Sequence, residues 1–344
     1  MQRNNHQSVI FLVLCILLVF SVMLSVRYGA VDISLREIFS ALGNTFSGKG
    51  SLNTLNENIF MEIRLPRALL CVWVGASLAL GGTLMQGLFR NPIVEPGLVG
   101  TSSGAAFGAA LYFVIGGSFK LNLGEWTLPV AACGGAFLST FLVFQFARSK
   151  DSGKHSIVDL LLTGIAINAL FMSGVGFLSY LARDPQARSI TFWGLGTLSG
   201  ANWHAVLIVG ASTLLGLLFA SGYSKHLNAL MIGEEEAQFL GTDVRVIKRN
   251  VLIINVIMIA VATAFVGVIS FVGLVVPHLL RFLHGADHRF LIRNSAILGA
   301  VLLSLADVIA RMVIRPAELP IGIVTALVGV PVFLILLKTK KMFN

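Results

Sequence analysis

Long apolar stretches, separated by short polar segments, run through almost the whole chain. A helix needs about 20 apolar residues to cross the hydrocarbon core of a bilayer. The third and the eighth stretches are short and interrupted by Gly or Pro, so they need not cross the bilayer fully. The sequence therefore predicts an all-α, polytopic membrane protein with about ten transmembrane helices, in which residues 1–344 form one compact bundle. The predicted helices lie at 9–26, 66–89, 100–116, 127–147, 156–181, 203–222, 250–269, 271–284, 292–313 and 321–337.

The composition indicates that the lipid bilayer is the main solvent of this chain. Of its 344 residues, 56% are hydrophobic and 12% are charged, whereas a typical soluble protein has about 25% charged residues. The net charge of +9 comes from short basic clusters beside apolar stretches, which is how Lys and Arg are placed at membrane surfaces. These clusters form no continuous basic stripe, so we expect no nucleic-acid partner.

The distribution of Lys and Arg predicts that both termini lie in the cytoplasm. With the N-terminus inside, fifteen of the 25 basic residues fall in cytoplasmic segments, and such an excess marks the inner side of membrane proteins. The cluster Lys338-Thr339-Lys340-Lys341 is the firmest anchor of this orientation.

Two polar segments predict short helices outside the bilayer. Residues 34–41 begin with a capping residue and place Leu35, Ile38 and Phe39 on one face, which is typical of an interfacial helix. On the inner side, residues 233–241 predict a two-turn helix with three glutamates in its first turn, where the helix dipole favours anions. Gly241 is expected to stop this helix.

The sequence offers no catalytic residues, so we expect a protein that is not an enzyme. Residues 43–49 fit the first seven positions of a phosphate-binding P-loop, but Gly50 stands where Ser or Thr would bind magnesium. The predicted orientation also places this segment outside, away from ATP. His278, His284 and His288 lack the spacing of a metal site, and the three cysteines have no partner spacing. We therefore expect no metal and no cofactor.

Charged residues inside the apolar stretches are few. Asp307 stands four residues before Arg311, so the two can pair on one helix face near its outer end. No series of carboxylates at mid-depth offers a path for protons or sodium ions, which argues against an ion-coupled secondary transporter. Backbone carbonyl groups also bind ions, so this alternative stays open.

Four separated stretches, spread over nearly the whole chain, carry a family resemblance. The first runs from Arg64-Leu65-Pro66-Arg67 through 74–82 and 85–92 to Glu95-Pro96-Gly97-Leu98-Val99-Gly100. The second is 233–241, the third is 269–281, and the fourth joins Glu318-Leu319-Pro320-Ile321-Gly322 to Thr325 and 329–333. In this order they resemble the permease subunits of ABC importers for iron chelates and vitamin B12, the FecCD-like type II importers. The combination is highly specific, although no single stretch would be.

The resemblance implies ten spans per subunit, a homodimer, two ATPase subunits on the cytoplasmic side and a solute-binding protein outside. In the family, arginines at the positions of Arg64, Arg67 and Arg311 face outward and pair with acidic residues of the binding protein. Asn91 and Ile93 match the inner gate, which residues 156–159 are expected to join. The segment at about 225–249 matches the part that couples to the ATPase, through Gly233, Glu234, Glu235, Glu236, Phe239, Leu240 and Gly241.

The resemblance implies a permease subunit that moves a metal chelate, a ferric siderophore or haem, across the inner or cell membrane of a bacterium or archaeon by alternating access. ATP hydrolysis is expected in the partner ATPase. Cobalamin is the alternative cargo, and an ion-coupled secondary transporter is the alternative from another class. Residues 184–203 lie where the family has a short helix at the mouth of the pathway. Arg188 in that segment could favour an anionic chelate or equally face the binding protein.

Overall fold

A computed structural model of the chain describes residues 2–29, 33–46, 55–116, 123–147 and 157–338. Within these ranges all regular structure is helical, which confirms the predicted all-α fold. A π-helical turn, Phe60–Arg64, leads directly into the fourth helix, and a 3-10 turn, Gly124–Trp126, precedes the sixth. The helices are α1 (Gln2–Arg27), α2 (Leu35–Phe46), α3 (Leu55–Ile59), α4 (Leu65–Phe89), α5 (Thr101–Ile115), α6 (Thr127–Phe146), α7 (Ile157–Leu181), α8 (Asp184–Gly194), α9 (Trp203–Gly222), α10 (Ser224–Ile232), α11 (Glu234–Phe239), α12 (Val244–Val266), α13 (Val272–His284), α14 (His288–Met312) and α15 (Ile321–Lys338).

The ten predicted membrane segments all appear as apolar helices. Seven stretches of the described residues are long and apolar enough to cross a membrane, and they contain α1, α4, α6, α7, α9, α12 and α14. The other three segments are the shorter helices α5, α13 and α15. A helix of 15 residues such as α5 is only about 22 Å long, less than the hydrocarbon thickness of about 30 Å. The prediction that the third and eighth segments are short is therefore confirmed.

Helix α1 begins at Gln2, earlier than the predicted start at 9. At two other boundaries the prediction was wrong because a helix begins at its cap rather than where the hydropathy rises. We expected segments to start at 250 and 292, but α12 begins at Val244 and α14 at His288. The carboxylate of Asp243 accepts the amide N–H groups of Arg245 and Val246 at 3.1 and 3.2 Å. Asp287 caps α14 in the same way, so both helices extend past the apolar region.

Helix α4 lies at the centre of the bundle and packs against α9, α12, α13 and α14. The approach of α4 to α14 is so close that a methyl group added at Gly75 would overlap the carbonyl oxygen of Gly299. Gly104 of α5 and Gly135 of α6 meet in the same manner. Because lipid supplies little hydrophobic drive between helices, this backbone contact provides much of the packing energy.

Helix α2 forms where the sequence predicted an interfacial helix, with the capping box that its first residues encode. The Ser34 N–H donates to the Glu37 carboxylate at 2.8 Å, and the Glu37 N–H donates to the Ser34 hydroxyl at 3.3 Å. Ile38 is buried, and Phe39, the next residue, is 64% exposed. Adjacent residues on a helix point about 100° apart. The segment 43–50 continues from the end of α2 into residues outside the described ranges.

Candidate functional site

The end of the bundle at which α4 begins is called the outer end, and the end at which α4 stops is called the inner end. These names follow the predicted orientation. At the outer end, Arg67 of α4 forms ion pairs with two carboxylates of its own chain. Its Nε and Nη2 atoms donate to Oδ1 of Asp307 at 3.0 and 2.8 Å. Its Nη1 atom donates to both carboxylate oxygens of Glu318 at 3.0 and 2.8 Å. Asp307 is fully buried, so this is an ion pair inside the bundle.

Arg311 joins the same cluster and ties it to the end of α1. Its Nε atom lies 2.8 Å from Oδ2 of Asp307, which confirms the predicted pairing four residues apart. Its Nη2 atom donates to the carbonyl oxygen of Ser25 at 2.9 Å, and its Nη1 atom donates to that of Tyr28 at 2.7 Å. Arg64 also donates to the Tyr28 carbonyl group. These carbonyl groups lie at the C-terminal end of α1, whose dipole favours cations.

The structure thus brings Arg64, Arg67 and Arg311 into one outer cluster, as a common docking site requires. Their orientation differs from what the resemblance implies, because the three residues are only 6%, 9% and 4% exposed. Their guanidinium groups bind partners within this chain rather than pointing outward. Sequence reasoning missed Glu318 as a partner, although it begins one of the recognised stretches. The docking role of the three arginines stays a prediction.

At the inner end, α11 is the short helix that the sequence predicted. Gly241 follows it with a φ of +79°, a conformation that favours glycine. The Thr242 N–H donates to the Ala237 carbonyl oxygen and the Gly241 N–H to that of Gln238, both at 2.9 Å. This pair of hydrogen bonds is a Schellman motif. The stop at Gly241 is therefore confirmed, and it gives the helix a fixed end.

The three glutamates of α11 do not share one environment. Glu234 accepts hydrogen bonds from Nζ of Lys248 on α12 at 2.7 and 2.8 Å, and Nη2 of Arg90 lies 3.9 Å from it. Glu235 and Glu236 are exposed. Phe239 is 90% and Leu240 is 67% exposed. One side of α11 is therefore fixed to α12, while the other presents acidic and apolar side chains to solvent.

The residues matched to the inner gate lie in a non-helical segment, 90–100, between α4 and α5. Arg90 has a φ of +49° and ends α4. The Asn91 side chain then accepts the Ile93 N–H at 3.0 Å, which fixes a tight turn. Ile93 is 52% exposed. Of the segment expected to join the gate, residue 156 lies outside the described ranges and 157–159 form the first turn of α7.

Amide side chains from two other helices hold segment 90–100 in place. Nδ2 of Asn255, on α12, donates to the Pro96 carbonyl oxygen at 2.9 Å, and Nδ2 of Asn168, on α7, donates to that of Leu98 at 3.2 Å. Unpaired carbonyl groups are costly at membrane depth, where no water replaces the partner. Sequence reasoning missed both asparagines. The available signal was a hydrogen-bonding residue inside an otherwise apolar stretch.

A cavity of about 350 Å³ lies between segment 90–100, α5, α7, α8 and the break between α12 and α13. Its wall is mostly apolar and includes Leu78, Val175 and Trp193. The polar groups on the wall are those of Glu95, Ser102, Ser103, Asn168 and Ser270. Helix α8 contributes Ile190 and Trp193 to this cavity, while Arg188 is exposed.

The three histidines near the inner turn are held by separate neighbours. His278 packs against Phe333, with ring centroids 5.9 Å apart, and His284 packs against Phe290, at 4.6 Å. Nδ1 of His288 lies 2.9 Å from the amide oxygen of Asn228. Within the described ranges, no group of three or more His, Cys, Asp or Glu residues is placed to hold a metal ion.

A bundle with short, interrupted helices beside a cavity and with a short capped helix at its inner end is typical of a polytopic membrane permease. The FecCD transport family model matches residues 17–339, and the chain belongs to this family. The recognised resemblance is thus confirmed.

The relatives extend over nearly the whole chain. The hemin transport system permease protein HmuU of Yersinia pestis is 42% identical over 332 residues, which is 95% of each chain. The vitamin B12 import system permease protein BtuC of Salmonella typhi is 36% identical over 341 residues, covering 99% of this chain and 98% of that protein. A solved metal-chelate type ABC transporter in an inward-facing conformation has a TM-score of 0.83 and 31% identity, covering 96% and 99% of the two chains.

These matches establish the class of function. The chain is the multi-pass transmembrane permease subunit of an ABC importer, as the sequence predicted. The family is a transport family, and the permease subunit is not itself the catalytic part. Both expected cargo classes, haem and cobalamin, occur among the relatives.

Proposed function

We propose that two copies of this chain form a homodimer that moves a metal chelate, with haem as the first candidate, across the cell membrane by alternating access. A cytoplasmic ATPase supplies the energy through α11, and an extracytoplasmic binding protein delivers the cargo at the outer end. Both termini lie in the cytoplasm. The observation that carries the proposal is the exposed face of α11. The Glu234–Lys248 ion pair ties this helix to α12, and a Schellman motif ends it.

The two faces of α11 suit the transfer of a rigid-body movement. Ala237 is fully buried, whereas Phe239, two residues later, is 90% exposed. Together with Leu240, which is 67% exposed, Phe239 forms an apolar surface patch of the kind that another protein covers. The Glu234–Lys248 ion pair at 2.7 Å then passes any displacement of α11 to the base of α12, a helix 23 residues long.

The outer cluster suits an acidic partner, even though its guanidinium groups are mostly buried. Arg64, Arg67 and Arg311 carry three positive charges against the two carboxylates of Asp307 and Glu318, which leaves 3 − 2 = +1. The side chain of Glu318 is 41% exposed and that of Arg67 is 11% exposed, so an incoming carboxylate would pair with Arg67 by displacing Glu318. A net positive cluster at the outer rim steers and orients an acidic binding protein more than it adds affinity.

The cargo is proposed from the relatives and from the apolar wall of the cavity. Haem has the stronger support because the hemin permease is 42% identical, compared with 36% for the vitamin B12 permease. Cobalamin is the second candidate because the match to the vitamin B12 permease extends over 98% of that protein. Uptake assays with haem, a ferric siderophore and cobalamin, in vesicles containing the permease, its ATPase and its binding protein, distinguish the three.

The test of coupling replaces the exposed tip of α11. In Phe239→Ala, we expect a loss of at least about 2 kcal/mol of ATPase binding, as for a central aromatic contact, and a parallel loss of ATP-driven uptake. The matched control is Phe219→Ala, which changes a phenylalanine that is 56% exposed on α9 and is expected to leave coupling intact. Normal coupled uptake in Phe239→Ala would refute the proposal. Uptake by the chain alone, driven by an ion gradient, would favour the secondary transporter.

The orientation is tested separately by labelling. A cysteine introduced as Glu235→Cys, in a chain without Cys15, Cys71 and Cys133, should react with a membrane-impermeant thiol reagent only from the cytoplasmic side. Reaction from the outer side would contradict both the orientation and the role of α11.

A further inference from the structure

We propose that Glu95 is a positioning residue for transport. Its carboxylate caps the N-terminus of α13 inside the bilayer and thereby ties that helix to segment 90–100, which carries the gate residues. The inference rests on the proposed function, because it assigns a route by which movement of α11 reaches the cavity. Glu95 belongs to a recognised stretch, but neither the docking nor the coupling assignments use it.

Helix α13 begins at membrane depth rather than at a surface. Its 13 residues span about 20 Å, less than the hydrocarbon thickness of about 30 Å. Gly273, in its first turn, packs directly on Gly82 of α4, seven residues before the inner end of α4 at Phe89. The helix therefore starts level with the inner half of α4 and ends at His284.

The start of α13 has no cap from the residue that precedes it. Phe271 has a φ of +69° and makes no capping hydrogen bond with its own side chain. The first four N–H groups of any helix lack partners within the helix, and at membrane depth such groups are costly. Glu95 Oε1 accepts the Phe271 N–H at 3.2 Å. A carboxylate is also favoured at this position by the positive end of the helix dipole.

The negative charge of Glu95 is directed to this helix end. No Lys, Arg or His of the described ranges lies within ion-pair distance of Glu95. Glu95 is half-buried, and a carboxylate that is partly withdrawn from water without a cation is stabilised by hydrogen bonds and dipoles. The N-terminus of α13 supplies such a hydrogen bond to Glu95 in the mostly apolar wall of the cavity.

The position of Glu95 along segment 90–100 connects three functional elements. At one end of the segment, Nη2 of Arg90 lies 3.9 Å from Glu234 of α11. Asn91 and Ile93 follow, and Glu95 then reaches α13 and lines the cavity. Arg90 and Glu95 are only five positions apart in the chain. A displacement of α11 therefore moves the gate residues and the capped end of α13 together. The cavity wall moves with them.

The test compares Glu95→Ala, which removes the cap, with Glu95→Gln, which keeps an acceptor oxygen but not the charge. We expect both variants to bind the ATPase normally. In Glu95→Ala, uptake per ATP hydrolysed should fall by at least about tenfold, the factor expected for a lost hydrogen bond to a charged group. ATP-dependent labelling of a thiol at Ile93→Cys should fall in parallel. In Glu95→Gln, uptake per ATP hydrolysed and labelling at position 93 should both lie between the values for Glu95→Ala and the unaltered chain.

The matched control is Glu125→Gln, which alters an exposed carboxylate that pairs with His204 at 3.0 Å on the outer side. It should leave uptake per ATP unchanged. Unchanged uptake per ATP in Glu95→Ala would overturn the inference, and so would loss of the folded protein in both Glu95 variants, since that outcome indicates a purely structural role. Failure of the unaltered chain to bind an ATPase would instead refute the proposed function.

Discussion

Nη2 of Arg67 lies 2.8 Å from Oδ1 of Asp307, although 240 positions separate the two residues in the chain. The contact joins the start of α4 to the last turns of α14 at the outer end. Because Asp307 is fully buried, its charge has lost its hydration, and the guanidinium groups of Arg67 and Arg311 compensate for it. The ion pair therefore fixes how the outer ends of two central helices meet.

Asp307→Asn should destabilise the bundle strongly. The change leaves the buried guanidinium group of Arg311 without its carboxylate and Arg67 with Glu318 alone. Removal of one partner from a buried ion pair costs about 3–5 kcal/mol. Unfolding in detergent micelles, followed by tryptophan fluorescence, measures the loss. The comparison variant is Glu318→Gln, whose side chain is 41% exposed and whose ion pair should contribute less than about 1 kcal/mol. Equal losses in the two variants would contradict the buried character of the Arg67–Asp307 pair.

Two glycine-to-alanine substitutions should have effects of opposite sign. At Gly75 a methyl group would overlap the Gly299 carbonyl oxygen, so Gly75→Ala should push α4 and α14 apart at a cost of about 1–3 kcal/mol. At Gly134 of α6 there is open space, so Gly134→Ala should stabilise the helix by about 0.5–1 kcal/mol. Thermal unfolding of both variants measures the difference. A stabilising effect of Gly75→Ala would show that the two helices do not meet at these glycines.

The number and the order of the membrane helices could be predicted because they depend on local hydropathy. The end of α11 could also be predicted, since a glycine after an acidic first turn is a local signal. The direction of the Arg67 side chain could not be predicted from the sequence. Its partners, Asp307 and Glu318, are more than 200 positions away, and only the tertiary arrangement decides whether a guanidinium group points outward or inward.

The role of segment 90–100 was equally hidden from the sequence. Residues 95–97 were recognised by resemblance, but the cap that Glu95 provides to α13 depends on a contact with Phe271, 176 positions later. The same holds for Asn255, which donates to Pro96 from another helix. Hydropathy treats these polar residues only as interruptions, whereas the structure shows that they pair with backbone groups that lack helical partners.

The C-terminal stop of α11 should be sensitive to the residue at Gly241. Gly241→Val places a β-branched residue at a φ of +79°, where the strain is about 1–3 kcal/mol, so we expect a loosened α11 and less uptake per ATP hydrolysed. Gly241→Asn should be milder, because Asn adopts this conformation more readily. Gly285, which has a φ of +90° after α13, provides the control position for general strain. Equal loss of uptake per ATP in Gly285→Val would show that the effect is not specific to α11.

Asp287 should make the stability of the inner end depend on pH. Burial alone would raise the pKa of Asp287. The hydrogen bond from Asn228 and the N–H and charge of Arg289 outweigh it, so the pKa is lowered from its ordinary value of 3.8. The Asn228 amide donates to Asp287 at 2.8 Å and also accepts the His288 N–H at 2.8 Å. The ionised carboxylate therefore holds the middle of α10 against the start of α14.

The sign of the effect follows from the lowered pKa of Asp287. In the unfolded chain the carboxyl group binds a proton at a higher pH than in the folded protein, so its stabilisation is fully present above pH 3.8 and is lost as the pH falls through the lower folded-state pKa. The difference in unfolding free energy between the unaltered chain and Asp287→Asn should thus shrink between about pH 5 and about pH 3. In Asn228→Ala, which removes the main favourable hydrogen bond, the folded-state pKa of Asp287 should rise towards its unfolded value, so the pH-dependent loss should become smaller. A difference that stays constant over this range would show that Asp287 does not titrate with folding.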